Sequence, residues 1–182
     1  MALMPGFYSA GTNYNFISRL ARKIAKALLL LAYPSRWDYF LPNFQERYHT
    51  STRALARFIR KHDGQNFTLL THSAGGIAGS RVEYLENVNG HICFGYPFKH
   101  PENPEESRRT RHLRYIQKPF LIVQGNHDEY GDGQASTRYA LSPAITVRPV
   151  EASHDYNDMA PAEFDALLAD LQAFLDSLGG HR

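Results

Sequence analysis

The sequence predicts an α/β protein with a mostly parallel sheet of about six strands and helices on both faces. Short apolar segments of strand length alternate along the chain with amphipathic segments of helix length, and this alternation is typical of parallel sheets covered on both sides. The chain has 182 residues, of which 43% are hydrophobic, which is enough for the core of one domain. We therefore expect a single domain over residues 1–182.

The amino-terminal part of the chain contains two predicted strands and two predicted helices. Residues 1–4 read as the end of a strand, and residues 27–32 form a continuous apolar run of strand length. Residues 13–26 and 46–62 carry apolar side chains at helical spacing, and Gly64 is a suitable terminator of the second helix. This part of the chain therefore starts the alternation of strands and helices.

The rest of the chain continues the same alternation. Strands are predicted at residues 67–71, 92–95, 120–124 and 145–150, and helices at residues 75–85 and 161–178. Pro161 opens the last helix, and Gly179 and Gly180 end it. In parallel sheets, functional residues lie in the loops at the carboxyl ends of the strands, so these loops are the places to search for a site.

Composition excludes several kinds of site. The single cysteine, Cys93, rules out a disulfide scaffold and a four-cysteine zinc site, and it favours a reducing, cytoplasmic compartment. None of the nine histidines has the spacing of a metal motif, so we expect neither a metal nor another cofactor. The longest apolar run, residues 27–33, is far shorter than a membrane span, so we expect no membrane partner.

Charge is distributed unevenly, although the net charge is only +2. Residues 1–62 carry 10 Lys and Arg against 2 acidic side chains, and residues 151–181 carry 7 acidic side chains and no Lys or Arg. Adjacent elements of opposite charge neutralise each other, and no nucleic-acid-binding motif accompanies the basic half. We therefore expect no nucleic-acid partner. One alternative remains, a nucleic-acid-associated protein that uses the basic amino-terminal half. Nucleic-acid binding that weakens steeply with salt would support it.

A glycine-rich segment, Thr71-His72-Ser73-Ala74-Gly75-Gly76, joins a predicted strand to a predicted helix. A serine on such a tight turn exposes its hydroxyl, and the residues two before and two after it must be small. Gly75 meets this requirement, whereas Thr71 replaces the more usual glycine. The alternatives are an ordinary glycine-rich turn and a phosphate-binding loop, which would need a lysine after the glycines. We predict that Ser73 is a nucleophile.

A nucleophilic serine needs a histidine base and an acid that orients it. Asp128 follows the strand predicted at residues 120–124, and His154 follows the last predicted strand, so acid and base come in the order expected after a serine on such a turn. The alternatives are a turn-capping Asp128 and an ordinary loop His154. His72, Asp155 and Asp158 are weaker candidates for these roles.

Two backbone N–H groups are needed to hold the oxyanion of the reaction. Ala74 directly follows the serine and supplies one of them. The other is expected from the loop after the first strand, where Gly6 lets the backbone turn inward and Phe7 supplies the N–H. The alternative is that residues 6–11 form only a terminal loop.

A further set of residues is far more specific than the serine turn alone. It comprises Gly95-Tyr96-Pro97, His100-Pro101, His112-Leu113, residues 119–125, Asp128, Gly131 and His154-Asp155. On these residues the chain resembles the α/β-hydrolases over almost its whole length. More narrowly, it resembles a small family that includes testis-expressed protein 30 and bacterial dienelactone-hydrolase-related proteins. The resemblance implies an α/β-hydrolase fold with Ser73, Asp128 and His154 as the triad, and it implies little about the substrate.

The chain departs from the hydrolase pattern at its amino terminus. The oxyanion loop begins with Pro5-Gly6 where many hydrolases have His-Gly, and the first predicted strand begins at Met1. This predicts either a minimal domain or a natural start upstream. Dienelactone hydrolases proper use a cysteine nucleophile, and Cys93 cannot take that role because it lies in a predicted strand.

Residues 97–118 occupy the place where this fold often inserts a cap. The segment is short, so we expect little or no cap and an open site for a small-molecule acyl substrate. Tyr8, Tyr96 and His127 are the predicted substrate-binding side chains. The same segment carries six Lys and Arg residues. We interpret them as a solvated surface rather than an anion-binding rim.

These observations predict a serine hydrolase that acts on a small carboxylic ester or thioester through an acyl-enzyme. The alternative is a catalytically silent α/β-hydrolase-like protein-interaction module. The intact series of Ser73, Asp128 and His154 argues against this alternative, because a scaffold needs none of the three. The sequence predicts no particular oligomeric state.

Overall fold

A computed structural model of the protein describes residues 2–5, 48–104 and 106–179. These residues form a parallel sheet whose five strands lie side by side in chain order. The strands are β1 (Ala2–Pro5), β2 (Phe67–His72), β3 (Val88–Phe94), β4 (Phe120–Gly125) and β5 (Ile145–Val150). The helices are α1 (Tyr48–Lys61), α2 (Ala74–Ser80), α3 (Ser107–Thr110), α4 (Ala135–Arg138) and α5 (Pro161–Gly179), and Leu113–Tyr115 form a 3-10 turn. The predicted α/β architecture with a parallel sheet is confirmed.

The register of the sheet brings the carboxyl ends of its strands to one edge. Pro5 pairs with Leu70, His72 with Phe94, and Gly125 with Val150. Because every pair is parallel, the loops that follow β2, β3, β4 and β5 leave the sheet at the same edge. Residues far apart in sequence therefore meet there.

The side chains of the central strands alternate between two apolar layers. On one face, Cys93, Phe120 and Ile122 pack with Ile77 of α2. On the other face, the alternate residues of β3 and β4 pack with Leu167 of α5. Burying each large apolar side chain contributes about 1.5–3 kcal/mol, so the two layers hold α2 and α5 against opposite faces of the sheet.

Two of the predicted elements, the helix at residues 13–26 and the strand at residues 27–32, lie outside the described residues. The remaining five strands and the first and last described helices agree with the sequence prediction within a few residues. The helix predicted at residues 75–85 is wrong in length, since α2 ends at Ser80 and consecutive turns follow. Val82 and Leu85 are buried against α1 from these turns, so their spacing imitates a longer helix.

The segment between β3 and β4 packs onto the sheet. Phe98, Leu113 and Ile116 are buried in the apolar layer that contains α2. The longest helix among the described residues of this segment is α3, with four residues. Much of this segment therefore completes the core.

Candidate active site

The turn between β2 and α2 holds Ser73 in an unusual backbone conformation. Ser73 has a φ of 53° and a ψ of −128°, a region that residues with a side chain rarely adopt. Its N–H donates to the carbonyl oxygen of Phe94 at 2.9 Å, and its own carbonyl oxygen accepts from the N–H of Gly76 at 2.8 Å. Such a conformation costs about 1–3 kcal/mol, so the surrounding packing must hold the turn in place.

A glycine at the third position of α2 lets this helix approach the sheet closely. A Cβ on Gly76 would overlap the Cys93 sulfur and lie 2.9 Å from Cδ2 of Tyr96. A larger residue would push α2 away from β3, and Ser73 at the start of α2 would move with it. The close contact at Gly76 therefore helps to set the position of the serine hydroxyl.

Thr71, which stands two residues before the serine, is accommodated without crowding the turn. A Cβ on Gly75 would lie 3.4 Å from Cβ of Thr71, so glycine at position 75 leaves room for the threonine. The Thr71 hydroxyl is 2.7 Å from Nε2 of the buried His91. This hydrogen bond turns the threonine side chain toward β3 and away from Ser73.

His154, in the loop after β5, bridges Ser73 and Asp128. Its Nε2 lies 2.9 Å from Oγ of Ser73, and its Nδ1 lies 2.8 Å from Oδ2 of Asp128. The Asp128 side chain is fully buried, and that of His154 is 17% exposed. A carboxylate that accepts from Nδ1–H selects the tautomer whose Nε2 carries no proton. In this arrangement Nε2 can accept the proton of the serine hydroxyl.

Asp128 is oriented by donors on both of its oxygens. The N–H of Tyr130 donates to Oδ1 at 2.8 Å, and the side-chain amide of Gln124 donates to Oδ2 at 2.8 Å. Gly95, with a φ of 58°, gives the carboxyl and the imidazole room to meet. A Cβ there would lie 3.1 Å from Nδ1 of His154 and 3.2 Å from Oδ2 of Asp128.

The loop that carries His154 is tied down by side chains of its own and of β2. Asp158 accepts from the N–H of Ser153 at 2.8 Å and from its hydroxyl at 2.9 Å. These donors, the backbone N–H first, hold the pKa of the Asp158 carboxyl below its usual value. Nε2 of His72 lies 3.0 Å from the carbonyl oxygen of His154, and the Tyr156 hydroxyl donates to a carbonyl oxygen of β4 at 2.7 Å.

Several supporting residues were not predicted from the sequence. Gln124 and Tyr130 contact Asp128, and the Tyr130 ring also lies 4.6 Å from the His154 ring. His72 and Asp158, which were considered only as rival catalytic groups, instead hold the His154 loop. One signal was available, because a glutamine in the otherwise apolar strand β4 must find hydrogen-bond partners.

The predicted oxyanion donors are only partly described. Ala74 is the first residue of α2, and the first N–H groups of a helix have no acceptor within the helix. The N–H of Ala74, the residue directly after Ser73, is therefore not used by a hydrogen bond within α2. Phe7, the second predicted donor, lies outside the described residues, as does Tyr8.

The other predicted substrate-binding residues lie in different surroundings. Tyr96 has no exposed surface, and its hydroxyl donates to the carbonyl oxygen of Arg109 at 2.6 Å. The structure corrects this prediction, since Tyr96 belongs to the core, where burial raises the pKa of its phenol. His127 is exposed, with Nε2 3.2 Å from the carboxylate of Glu151.

The buried Cys93 and His91 are not reactive groups in this structure. Burial raises the pKa of Cys93 to about 12 and lowers the pKa of His91 to about 3. The cysteine is therefore a neutral thiol, and His91 is neutral as well. Within residues 2–5, 48–104 and 106–179, no three His, Cys, Asp or Glu side chains are grouped so that they could hold a metal ion.

Three of the basic residues between β3 and β4, Arg108, Arg109 and Lys118, have partners within the fold. Arg108 and Arg109 both form ion pairs with Glu106. Lys118 donates to backbone carbonyls of the turns that precede β3 and of β3 itself. The interpretation of this segment as a solvated surface is wrong for Arg109, which is 5% exposed, because its ion pair lets it enter the core.

A family model described as "Alpha/beta hydrolase domain" matches residues 39–171, which is well over half of the chain. No curated protein has a sequence that matches the chain. Among the helices in the described part of the chain, none combines the length and the apolar character needed to cross a bilayer.

Several solved structures have a similar fold at low sequence identity. The carboxylesterase CesB (YbfK) from Bacillus subtilis has a TM-score of 0.54 at 14% identity over 80% of this chain and 76% of its own. The monoacylglycerol lipase from Paleococcus ferrophilus has a TM-score of 0.53 at 14% identity, with coverages of 85% and 89%. A YdeN-like hydrolase from Pectobacterium atrosepticum has a TM-score of 0.57 at 19% identity, with coverages of 84% and 83%. At these identities the likeness concerns the fold.

Proposed function

The chain belongs to the alpha/beta hydrolase family, and we propose that it is a serine hydrolase that cleaves a small carboxylic ester or thioester. The observation that carries this proposal is the hydrogen-bonded series from Ser73 Oγ through His154 to the buried Asp128. A neutral imidazole between a carboxylate and a serine on a tight turn is the arrangement that activates a serine hydroxyl.

The first half of the reaction transfers the acyl group to the protein. Nε2 of His154 takes the proton of the Ser73 hydroxyl as Oγ attacks the carbonyl carbon of the substrate. Asp128 keeps the imidazole in its productive tautomer and stabilises the imidazolium. The imidazolium then returns the proton to the leaving alcohol or thiol, and the acyl group stays on Ser73.

The second half of the reaction releases the carboxylic acid product. A water molecule gives a proton to Nε2 of His154 and attacks the acyl-enzyme, and Ser73 recovers its proton from the imidazolium as the bond breaks. No cofactor takes part in this cycle. The backbone N–H groups of Ala74 and Phe7 hold the oxyanion in both halves, and losing one such donor typically costs on the order of 10²–10³ in rate.

The proposed substrate is a small acyl compound. The segment between β3 and β4 packs into the core through Phe98 and Leu113, which supports a site without a large cap. Tyr8 and His127 remain proposed substrate contacts. We place the enzyme in the cytoplasm, because the free thiol of Cys93 suits a reducing compartment. The narrower resemblance to the family that includes testis-expressed protein 30 stays a prediction.

A fluorophosphonate probe tests the proposal, because it reacts with activated serines. We expect labelling of the parent protein and no labelling of Ser73→Ala or His154→Ala. The matched control is Ser177→Ala, a serine on the exposed side of α5 whose hydroxyl donates to a backbone carbonyl of its own helix. This control should be labelled like the parent.

A folded parent protein without labelling would reject the enzyme and favour the silent protein-interaction module. Labelling that persists in Ser73→Ala would show that another nucleophile reacts. With labelling at Ser73, a panel of p-nitrophenyl esters and acyl thioesters of increasing chain length would identify the preferred acyl group.

A further inference from the structure

Gln124 is a buried polar side chain to which the proposed reaction gives no role. It is the fifth residue of β4 and is fully buried. Its Nε2 donates to Oδ2 of Asp128 at 2.8 Å and to the carbonyl oxygen of Gly131 at 2.7 Å. Both N–H groups of the amide therefore bond to the loop after β4, residues 126–131, which we call the acid loop.

The orientation of the amide is decided by its neighbours. Both partners of Nε2, the Asp128 carboxylate and the Gly131 carbonyl, are acceptors, so a rotated amide would face them with its own oxygen. In the present orientation Oε1 is buried and has no partner among the described residues. A buried acceptor without a partner is unfavourable, so the two hydrogen bonds that the amide donates must offset this cost.

We propose that Gln124 is a positioning residue that orients Asp128 and reduces the negative charge that His154 meets. This inference rests on the proposed function for its catalytic meaning. Oδ2 of Asp128 is shared between the Gln124 amide and Nδ1 of His154. The amide holds Oδ2 toward the imidazole, while the N–H of Tyr130 holds Oδ1, so the carboxyl group cannot rotate.

Removing the amide has two consequences. Among the described residues, the carboxylate then keeps the backbone donor of Tyr130 and the contact with His154, so its orientation relaxes and proton transfer from Ser73 slows. The charge on Oδ2 is also less neutralised, which stabilises the imidazolium. His154 would then lose its proton at a higher pH than in the parent protein.

Other titratable groups around the pair do not produce this shift. Tyr130 and Tyr156 lie close, and burial raises the pKa of each, so both stay neutral across the assay range. Burial likewise keeps Cys93 a neutral thiol. His72 packs against His154 with ring centroids 5.1 Å apart, and it is unchanged in the variants, so its influence is common to all of them.

The test compares Gln124→Met and Gln124→Leu with the parent and with Gln172→Met. Gln172 lies on the exposed side of α5 and donates to Asp176 of the same helix, so it is a matched control. Hydrolysis of p-nitrophenyl acetate is measured as a function of pH. The midpoint of the His154 imidazole titration is followed separately by NMR, and stability is followed by urea unfolding.

We expect kcat to fall about ten- to hundredfold in both Gln124 variants, with little change in KM. The midpoint of the acidic limb of the pH–rate profile and that of the imidazole titration should both move to higher pH. Stability should fall, because the buried Asp128 carboxylate and the Gly131 carbonyl each lose a donor. Gln172→Met should match the parent in every measurement.

The outcomes separate this inference from the proposed function. Parent-like kcat and titration midpoints in both Gln124 variants would overturn the positioning role. A loss of stability with unchanged titration midpoints would overturn it as well. If the parent protein is not labelled at Ser73 but the imidazole midpoint still shifts in the variants, the positioning of Asp128 by Gln124 stands and the proposed catalysis fails.

Discussion

The Ser73 turn and the two loops that face it are held by different kinds of contact. The turn depends on backbone hydrogen bonds and on the absence of side chains, since a Cβ on Gly76 would collide with Cys93 and Tyr96. The loops of Asp128 and His154 also have backbone hydrogen bonds, but they depend in addition on side-chain hydrogen bonds from residues that are neither nucleophile, acid nor base.

This difference has a physical reason. A tight turn between a strand and a helix needs small residues at fixed offsets, so its requirements appear within a few positions of sequence. An acid loop or a histidine loop can follow many paths, and its conformation is selected by whatever donors the neighbouring elements present. Here these include Gln124 of β4 for Asp128, and His72 of β2 for the His154 loop.

The largest effect is expected from Asp128→Asn, which breaks the contact between the two loops. An amide in place of the carboxylate no longer selects the tautomer with a proton on Nδ1, so Nε2 of His154 cannot accept from Ser73. We expect kcat/KM for p-nitrophenyl acetate to fall by about 10⁴. Asp170→Asn, on the exposed part of α5, should keep the parent rate. A loss of less than tenfold would mean that Asp128 is not the orienting acid.

A second prediction concerns Gly95, where the two loops meet. In Gly95→Ala the methyl group would lie 3.1–3.2 Å from Nδ1 of His154 and Oδ2 of Asp128. The alanine would also have to keep a φ of 58°. A displacement of the imidazole typically costs about 10² in rate, and pre-steady-state acylation of Ser73 would show it. Unchanged acylation would indicate that the loops can shift together without loss.

Gly76→Ala tests how strongly the Ser73 turn depends on the close packing of α2 against the sheet. We expect the free energy of unfolding to fall by about 1–3 kcal/mol, because α2 must move from the sheet. Urea unfolding measures this difference. The control is Gly64→Ala, where a Cβ would meet nothing within 4 Å, so its change should stay within about 0.5 kcal/mol. Equal stability of both variants would show that the helix adjusts freely.

The smallest effect is expected from Asp158→Asn in the His154 loop. The pKa of Asp158 is lowered in the folded protein by the N–H of Ser153, so its carboxylate stabilises the fold above the unfolded-state pKa of about 3.9. This contribution is lost as the pH falls through the folded-state pKa. The stability difference between parent and variant should therefore disappear in acid, as urea unfolding at several pH values would show. A stability difference for Asp158→Asn that stays constant with pH would contradict this origin.

Much of the arrangement could be predicted because its signals are local. Five strands and the order of Ser73, Asp128 and His154 along the chain were readable from apolar runs and from the residues that follow them. The structure places these three side chains within hydrogen-bond distance of each other. Their catalytic roles stay predictions until the labelling experiment is done.

Other predictions failed because the signals were ambiguous. Tyr96 follows β3 closely and was expected in the substrate site, but it lies in the core under α2. The apolar spacing of Val82 and Leu85 suits a helix, yet these residues are buried from turns. An apolar or aromatic side chain indicates burial without indicating which surface buries it.

The sequence by itself determined the alternation of strands and helices, the tight turn at Ser73 and the chain order of the candidate acid and base. Each of these follows from residues close together in sequence, because side-chain size and period act locally. Only the tertiary structure decided that Gln124 bonds Asp128, that His72 and Asp158 hold the His154 loop, and that Tyr96 is buried. Those contacts depend on parallel strands bringing distant loops to one edge of the sheet, and no local pattern in the sequence records which side chains meet there.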